Sequence, residues 1–250
     1  MNKKIVLFTI ALISSFSACG QGYDLDQGIY ELNRGEFQAA FEQFSPLVAE
    51  GYAPAQYQMA LMYQHGYSVA KDGLKALKLF KLAAAQNYPD AQFELALFYT
   101  EGKLVKKDLK AAFELTHKAA RKGLASAQYN LGVMYANGEG VKQDDFKASR
   151  WYQSAADQNY VLAQYNLALL YSEGKGVEKS TEMSYVWNTI ASWNGYDNAE
   201  KSRLMDERDL ARSTSYKNIE ASKEKATAIY HKIREQQDIK AKMAEKQRFY

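Results

Sequence analysis

Reactive chemistry in this 250-residue chain would have to come from imidazoles, a thiol or paired carboxylates. His65, His117 and His231 are its three histidines. Each falls in a different segment without a partner at fixed spacing, so neither a histidine metal site nor a nucleophile–base pair is written in the sequence. The single cysteine, Cys19, excludes a disulfide framework and any zinc site built from several thiolates. Glu94 and Glu101 lie seven residues apart, on one face of a helix, and could in principle work as a pair; a solvated or peptide-binding face is the simpler reading. Gly138-Glu139-Gly140 and Gly174-Lys175-Gly176 have the glycine spacing of a phosphate loop, but they follow a helix instead of a strand and recur with a repeat. They read as caps and turns. The expectation is a chain with no catalytic residue, no metal and no cofactor, and therefore not an enzyme.

The elements that position these side chains begin with a leader. Lys3 and Lys4 precede a charge-free stretch from Ile5 to Phe16. That stretch is shorter than the roughly 20 apolar residues of a membrane-spanning helix and reads as a signal peptide over residues 1–18. Phe16-Ser17-Ala18-Cys19 resembles the bacterial lipoprotein cleavage box, in which the cysteine becomes the lipidated first residue, although Phe16 stands where leucine is usual. On this reading Cys19 carries acyl chains that hold the protein to a membrane without spanning it. Gly20 in place of an aspartate implies the outer membrane, facing the periplasm. Cleavage after Gly20, giving a soluble periplasmic or secreted protein, is the alternative.

Beyond the leader the chain repeats. Four windows of 36 residues align without a gap: 53–88, 89–124, 125–160 and 161–196. Counted within a window, positions 3 and 4 are always Ala-Gln, position 11 tyrosine, 14 glycine, 17 valine and 31 alanine. Each window predicts two helices. The first carries its apolar and small residues at positions 3, 7, 8, 10 and 11 and stops at the glycine, which suits a left-handed cap. Asp72, Asp108, Asp144 and Ser180 stand where the second helix needs an N-cap. That helix has its stripe at positions 24, 27, 28 and 31 and ends at Asn87, Gly123, Asn159 and Gly195, residue types that tolerate positive φ.

The pattern AQYNLAxxYxxGxGV, followed by an aspartate and a helix ending in paired alanines, resembles the Sel-one-like repeat (SLR) family, relatives of the tetratricopeptide repeats. The resemblance covers residues 53–196. It extends with less fidelity to an opening helical pair at 23–52 and a closing helix after Gly195. It implies an all-α fold, a right-handed superhelical solenoid of stacked antiparallel helix pairs whose first helices line the concave side. Gln58, Glu94, Asn130 and Asn166 at position 6, with His65, Glu101, Asn137 and Glu173 at position 13, form a candidate ladder for a protein or peptide partner. The repeat tyrosines are expected in buried columns, which argues against a cell-wall or polysaccharide binder that stacks sugars on them. Cysteine-rich relatives associated with β-lactams carry paired cysteines in every repeat, and here the repeats have none.

From Asp197 onward glycine and proline disappear and 13 Lys/Arg stand against 10 Asp/Glu, a surplus that equals the formal +3 of the whole chain. Interleaved charge of this kind does not suit nucleic acid. Residues 218–247 predict one long helix with a narrow stripe at Ile219, Ala226, Ile229 and Ile233, solvated beyond about Gln236.

Overall fold

A computed structural model describes residues 23–213 and 216–247. The expected signal peptide and Cys19 lie outside the described residues. Twelve helices follow one another, and no strand occurs among the described residues. An opening pair, α1 (Leu25–Asn33) and α2 (Phe37–Ala49), precedes four pairs: α3 (Ala53–His65) with α4 (Gly73–Ala85), α5 (Pro89–Glu101) with α6 (Leu109–Arg121), α7 (Ala125–Asn137) with α8 (Asp145–Ala156), and α9 (Val161–Glu173) with α10 (Thr181–Trp193). Two further helices, α11 (Asp197–Ser213) and α12 (Tyr216–Gln247), close the chain. Every helix packs on its sequence neighbours, as in a solenoid.

Local chemistry sets the helix ends where the sequence predicts them. Asp72, Asp108, Asp144 and Ser180 accept side-chain hydrogen bonds from first-turn amides at 2.9–3.1 Å, the cap worth about 1 kcal/mol. Gly66, Gly102, Gly138 and Gly174 take φ between 72° and 80°. One regularity was not anticipated. The backbone N–H of each capping residue donates to the carbonyl of the repeat tyrosine: Asp72 to Tyr63, Asp108 to Tyr99, Asp144 to Tyr135 and Ser180 to Tyr171, at 2.9–3.0 Å. The loop between paired helices is thus closed by main-chain atoms.

Small residues let the helices approach. The alanines at positions 3 and 31 are all fully buried. Gly132 replaces alanine at position 8 because a Cβ there would lie 2.6 Å from the ring of Tyr152. The neighbouring column, Gln56, Gln92, Gln128 and Gln164, is buried as well and ties one repeat to the next. Gln92, Gln128 and Gln164 donate to the carbonyls of Ala84, Ala120 and Ala156, at the end of the preceding second helix, at 3.2–3.4 Å. Those carbonyls have no partner within their own helix.

A size exchange joins consecutive loops. In the second, third and fourth repeats, position 16 rests on position 21 of the repeat before. A Cβ on Gly140 would overlap the carbonyl of Leu109, and one on Gly176 the carbonyl of Asp145. Where position 16 is instead Leu104, position 21 is Gly73, and a Cβ on Gly73 would meet the Leu104 side chain at 2.7 Å.

The last pair departs from the others. Ser184 stands at position 24, alanine in the other repeats, and Asn188 at position 28, aromatic in the first and third; both are buried, because α11 supplies Asp206, which accepts from both at 2.8 Å. Burial raises the Asp206 pKa even so. On the same helix, hydrogen bonds from Arg203 and then Ser192 hold the Glu200 carboxyl down at about 2. α12 covers α10: Ala226 and Ile233 share a buried cluster with Val186, Trp187 and Ile190. The predicted long helix starts at Tyr216, and its outer part is not wholly solvated as expected. Gln237 and Lys240 reach Gln158, the latter at 3.0 Å, whereas Ile239 and Met243 are exposed.

Candidate binding face

The first helices α3, α5, α7 and α9 stand side by side and place the eight candidate residues in two rows with different surroundings. Position 6 is half-buried throughout: Gln58, Glu94, Asn130 and Asn166. Position 13 is exposed, and there each side chain turns to the residue two places on, across the capping glycine. His65 stacks on Tyr67 with centroids 5.3 Å apart, Glu101 pairs with Lys103 at 3.1 Å, Asn137 donates to Glu139 at 2.9 Å and Glu173 pairs with Lys175 at 2.8 Å. His65, Glu101, Asn137 and Glu173 therefore belong to the loop edge. The continuous row is position 6.

Tyrosines the sequence assigned to the core join that row. Of the ten at positions 5, 11 and 36, only Tyr135 is buried; the others are half-buried. Position 5 meets position 36 of its own repeat: Tyr57 with Tyr88 at 5.4 Å, Tyr129 with Tyr160 and Tyr165 with Tyr196 at 5.0 Å. The expectation of buried columns fails because these residues lie at the outer margin of the helix row, where an amphipathic phenol is only partly covered. Alternation of apolar and polar positions does not reveal this. The recurrence of tyrosine instead of leucine at positions 5 and 36 is the available signal.

The face changes character along its length. In the second repeat Glu94 sits with Asp90 and Glu101 around it, near Tyr57. Desolvation raises the Glu94 pKa first, and the charges of Asp90 and Glu101 raise it further. Desolvation also raises Asp90. Tyr57 is pushed up by burial and then by the charges of Asp90 and Glu94. In the third and fourth repeats the face is neutral. The Asn166 side chain lies near the phenols of Tyr129 and Tyr152 and lowers both pKa values, against the burial that raises them, Tyr152 to about 12. The Asn130 amide donates to Ser126 in its own helix at 3.1 Å. Among the described residues no group of three or more His, Cys, Asp or Glu is arranged to hold a metal ion. No helix there is long and apolar enough to cross a membrane.

Known proteins share this architecture. A Sel1 repeat protein from Oxalobacter formigenes superposes with a TM-score of 0.68 at 24% identity, with 85% of each chain covered. The protective antigen c5321 of uropathogenic Escherichia coli, which displays an SLR fold, matches with a TM-score of 0.54 at 27% identity over 78% of this chain and 49% of its own length. No curated protein matches the chain. Arrays of this kind generally mediate protein–protein interaction, and their scaffolds are typically non-catalytic. The Sel1 repeat profile matches residues 53–88, 89–124, 125–160 and 161–191, so that more than half of the chain, in four consecutive units, belongs to the Sel1 repeat family.

Proposed function

We propose that the protein is an exported adaptor that holds an extended segment of a partner protein against the position-6 row of its first helices. The observation that carries this reading is the graded face itself. Asp90 and Glu94 are kept partly desolvated at one end, and half-buried amides and phenols stand together at the other. Desolvated carboxylates favour a basic side chain that restores their lost solvation, and pre-set amides and hydroxyls suit a peptide backbone. Anchoring of the mature protein at Cys19 in the outer membrane, facing the periplasm, completes the proposal. A mature N-terminus bearing acyl chains on Cys19 supports it in mass spectrometry, and an unmodified start at Gln21 removes it.

Two substitutions test the face. Asn130→Ala is expected to weaken partner capture at least tenfold while leaving the melting temperature unchanged, since its amide serves only its own helix. Asn166→Ala is expected to do the same at a stability cost below about 1 kcal/mol, since its side chain acts on the Tyr152 and Tyr129 phenols. Capture that survives both changes, measured by in-cell crosslinking and affinity purification, moves the site elsewhere.

The acidic end gives a pH prediction. Glu94 has a folded-state pKa above its ordinary 4.5, so the folded chain holds a proton that the unfolded chain has released. Stability from this group falls as pH rises from 4.5 through the raised value, and the penalty is fully present above it. Glu94→Gln is expected to stabilise the protein at pH 7, to flatten this part of the stability–pH profile and to weaken a basic partner. Urea unfolding at several pH values checks it; a loss of stability at pH 7 contradicts it. A glycan partner is the second reading, favoured by the half-buried rings of Tyr57, Tyr88, Tyr129 and Tyr160, and binding to a glycan panel decides between them.

A further inference from the structure

In three of the four repeats the buried glutamine of position 4 has its carbonyl oxygen satisfied from position 34. Gln86 donates to Gln56 at 2.9 Å, Gln158 to Gln128 at 2.7 Å and Asn194 to Gln164 at 3.1 Å. The second repeat breaks the rule, since Lys122 holds position 34. Gln92 is 2% exposed and its Oε1 is buried without a hydrogen-bond partner. In the other repeats this oxygen faces the position-34 side chain, so in the second it faces the space beside Lys122. That space is a cavity of about 350 Å³ lined by Asn87, Gln92, Lys118, Arg121 and Lys122. Three cations and no carboxylate line it, and among the described residues none of the three is in an ion pair.

A buried acceptor without a donor is destabilising, and three neighbouring cations repel one another. One kind of ligand answers both: an oxyanion that carries its own O–H. We infer that this cavity, on the edge where α6 ends beside the first turn of α5, binds a protonated phosphate group, free or as a terminal monoester. Lys118, Arg121 and Lys122 take the anionic oxygens, and as the Lys122 side chain swings out onto the ligand it uncovers Gln92 Oε1, to which the phosphate O–H donates. The site is separate from the position-6 row, and its ligand is recognised by charge and by a donor together. Sulfate has the size and charge but no proton to give.

Calorimetric titration of the purified chain with inorganic phosphate, glycerol 3-phosphate and sulfate near pH 7 tests the assignment. Phosphate is expected to bind at least tenfold more tightly than sulfate. A monoester that binds more tightly than inorganic phosphate points to a headgroup or metabolite; the reverse order points to the free ion. Lys122→Gln is expected to rebuild the tie of the first and third repeats, raising the urea midpoint and lowering phosphate affinity at least tenfold. Arg121→Gln, which rebuilds nothing, is expected to weaken phosphate with the midpoint unchanged. Lys142→Gln, in the loop of the third repeat, is expected to alter neither. Equal affinity for phosphate and sulfate, or phosphate affinity untouched in both Lys122→Gln and Arg121→Gln, overturns the inference.

Discussion

Gly176→Ala is expected to lower the unfolding free energy by about 3 kcal/mol or more, the largest effect of any single methyl group in the array. Two costs add. Gly176 has φ of 65°, where an L-residue costs about 1 kcal/mol relative to glycine. Its new Cβ would also overlap the carbonyl of Asp145 and lie 2.6 Å from the amide nitrogen of Phe146. These are backbone atoms at the start of α8, fixed by the Asp144 cap, and they cannot swing aside as a side chain can. Gly123→Ala separates the terms: its φ is 93°, but nothing lies within 4 Å of the added Cβ, so only the conformational cost of about 1 kcal/mol applies. Gly73→Ala completes the set. Its neighbour is the end of the flexible Leu104 side chain, and its change is expected to stay within about 0.5 kcal/mol of zero. Urea midpoints at constant m-value rank the three. Equal losses at Gly176 and Gly123 would show that the loop contact contributes nothing.

Ile233→Asp is expected to release α12 from the array at a cost of about 3 kcal/mol or more, since a carboxylate cannot stay charged and unpaired where Ile233 is 2% exposed. The release has its own signature. Trp187 is 2% exposed beneath this layer, whereas Trp151, at the same repeat position on the uncovered α8, is half-buried. Once α12 leaves, Trp187 emission shifts to the red and amide protection over residues 216–247 is lost, while protection in α3 to α9 persists. Ile239→Asp, on the exposed outer part of the same helix, is expected to change neither. Unchanged protection in the Ile233 variant would show that α12 is held by its Lys225–Glu182 and Lys240–Gln158 contacts instead of its apolar stripe.

What the sequence made legible follows from the range of each interaction. The aspartate caps, the glycine stops and the Asn or Gly that ends each second helix act within four or five residues, and they appear where residue type alone places them. The Ala-Gln column was visible as a column, but its reason was not, because the bond from Gln158 to Gln128 spans 30 residues. Trp151 and Trp187 share a repeat position and differ in burial only because α12, which belongs to no repeat, returns over α10. The surroundings of the eight candidate residues were less legible than their phase. Helical phase put positions 6 and 13 on one side, but phase says nothing about a residue two places beyond the helix end, and Tyr67, Lys103, Glu139 and Lys175 take up the second row.

The exchange of sizes between loop and helix start makes the units of this array non-interchangeable. Deleting the second repeat would seat Gly140 on Gly73 and leave a gap on both sides. Duplicating it would press a second Leu104 against the start of α6, where the main-chain carbonyl of Leu109 now lies opposite a glycine. Such an array resembles a sentence with agreement between neighbouring words. It can gain or lose length only where both partners of a junction change together, so its number of repeats is constrained by its own grammar.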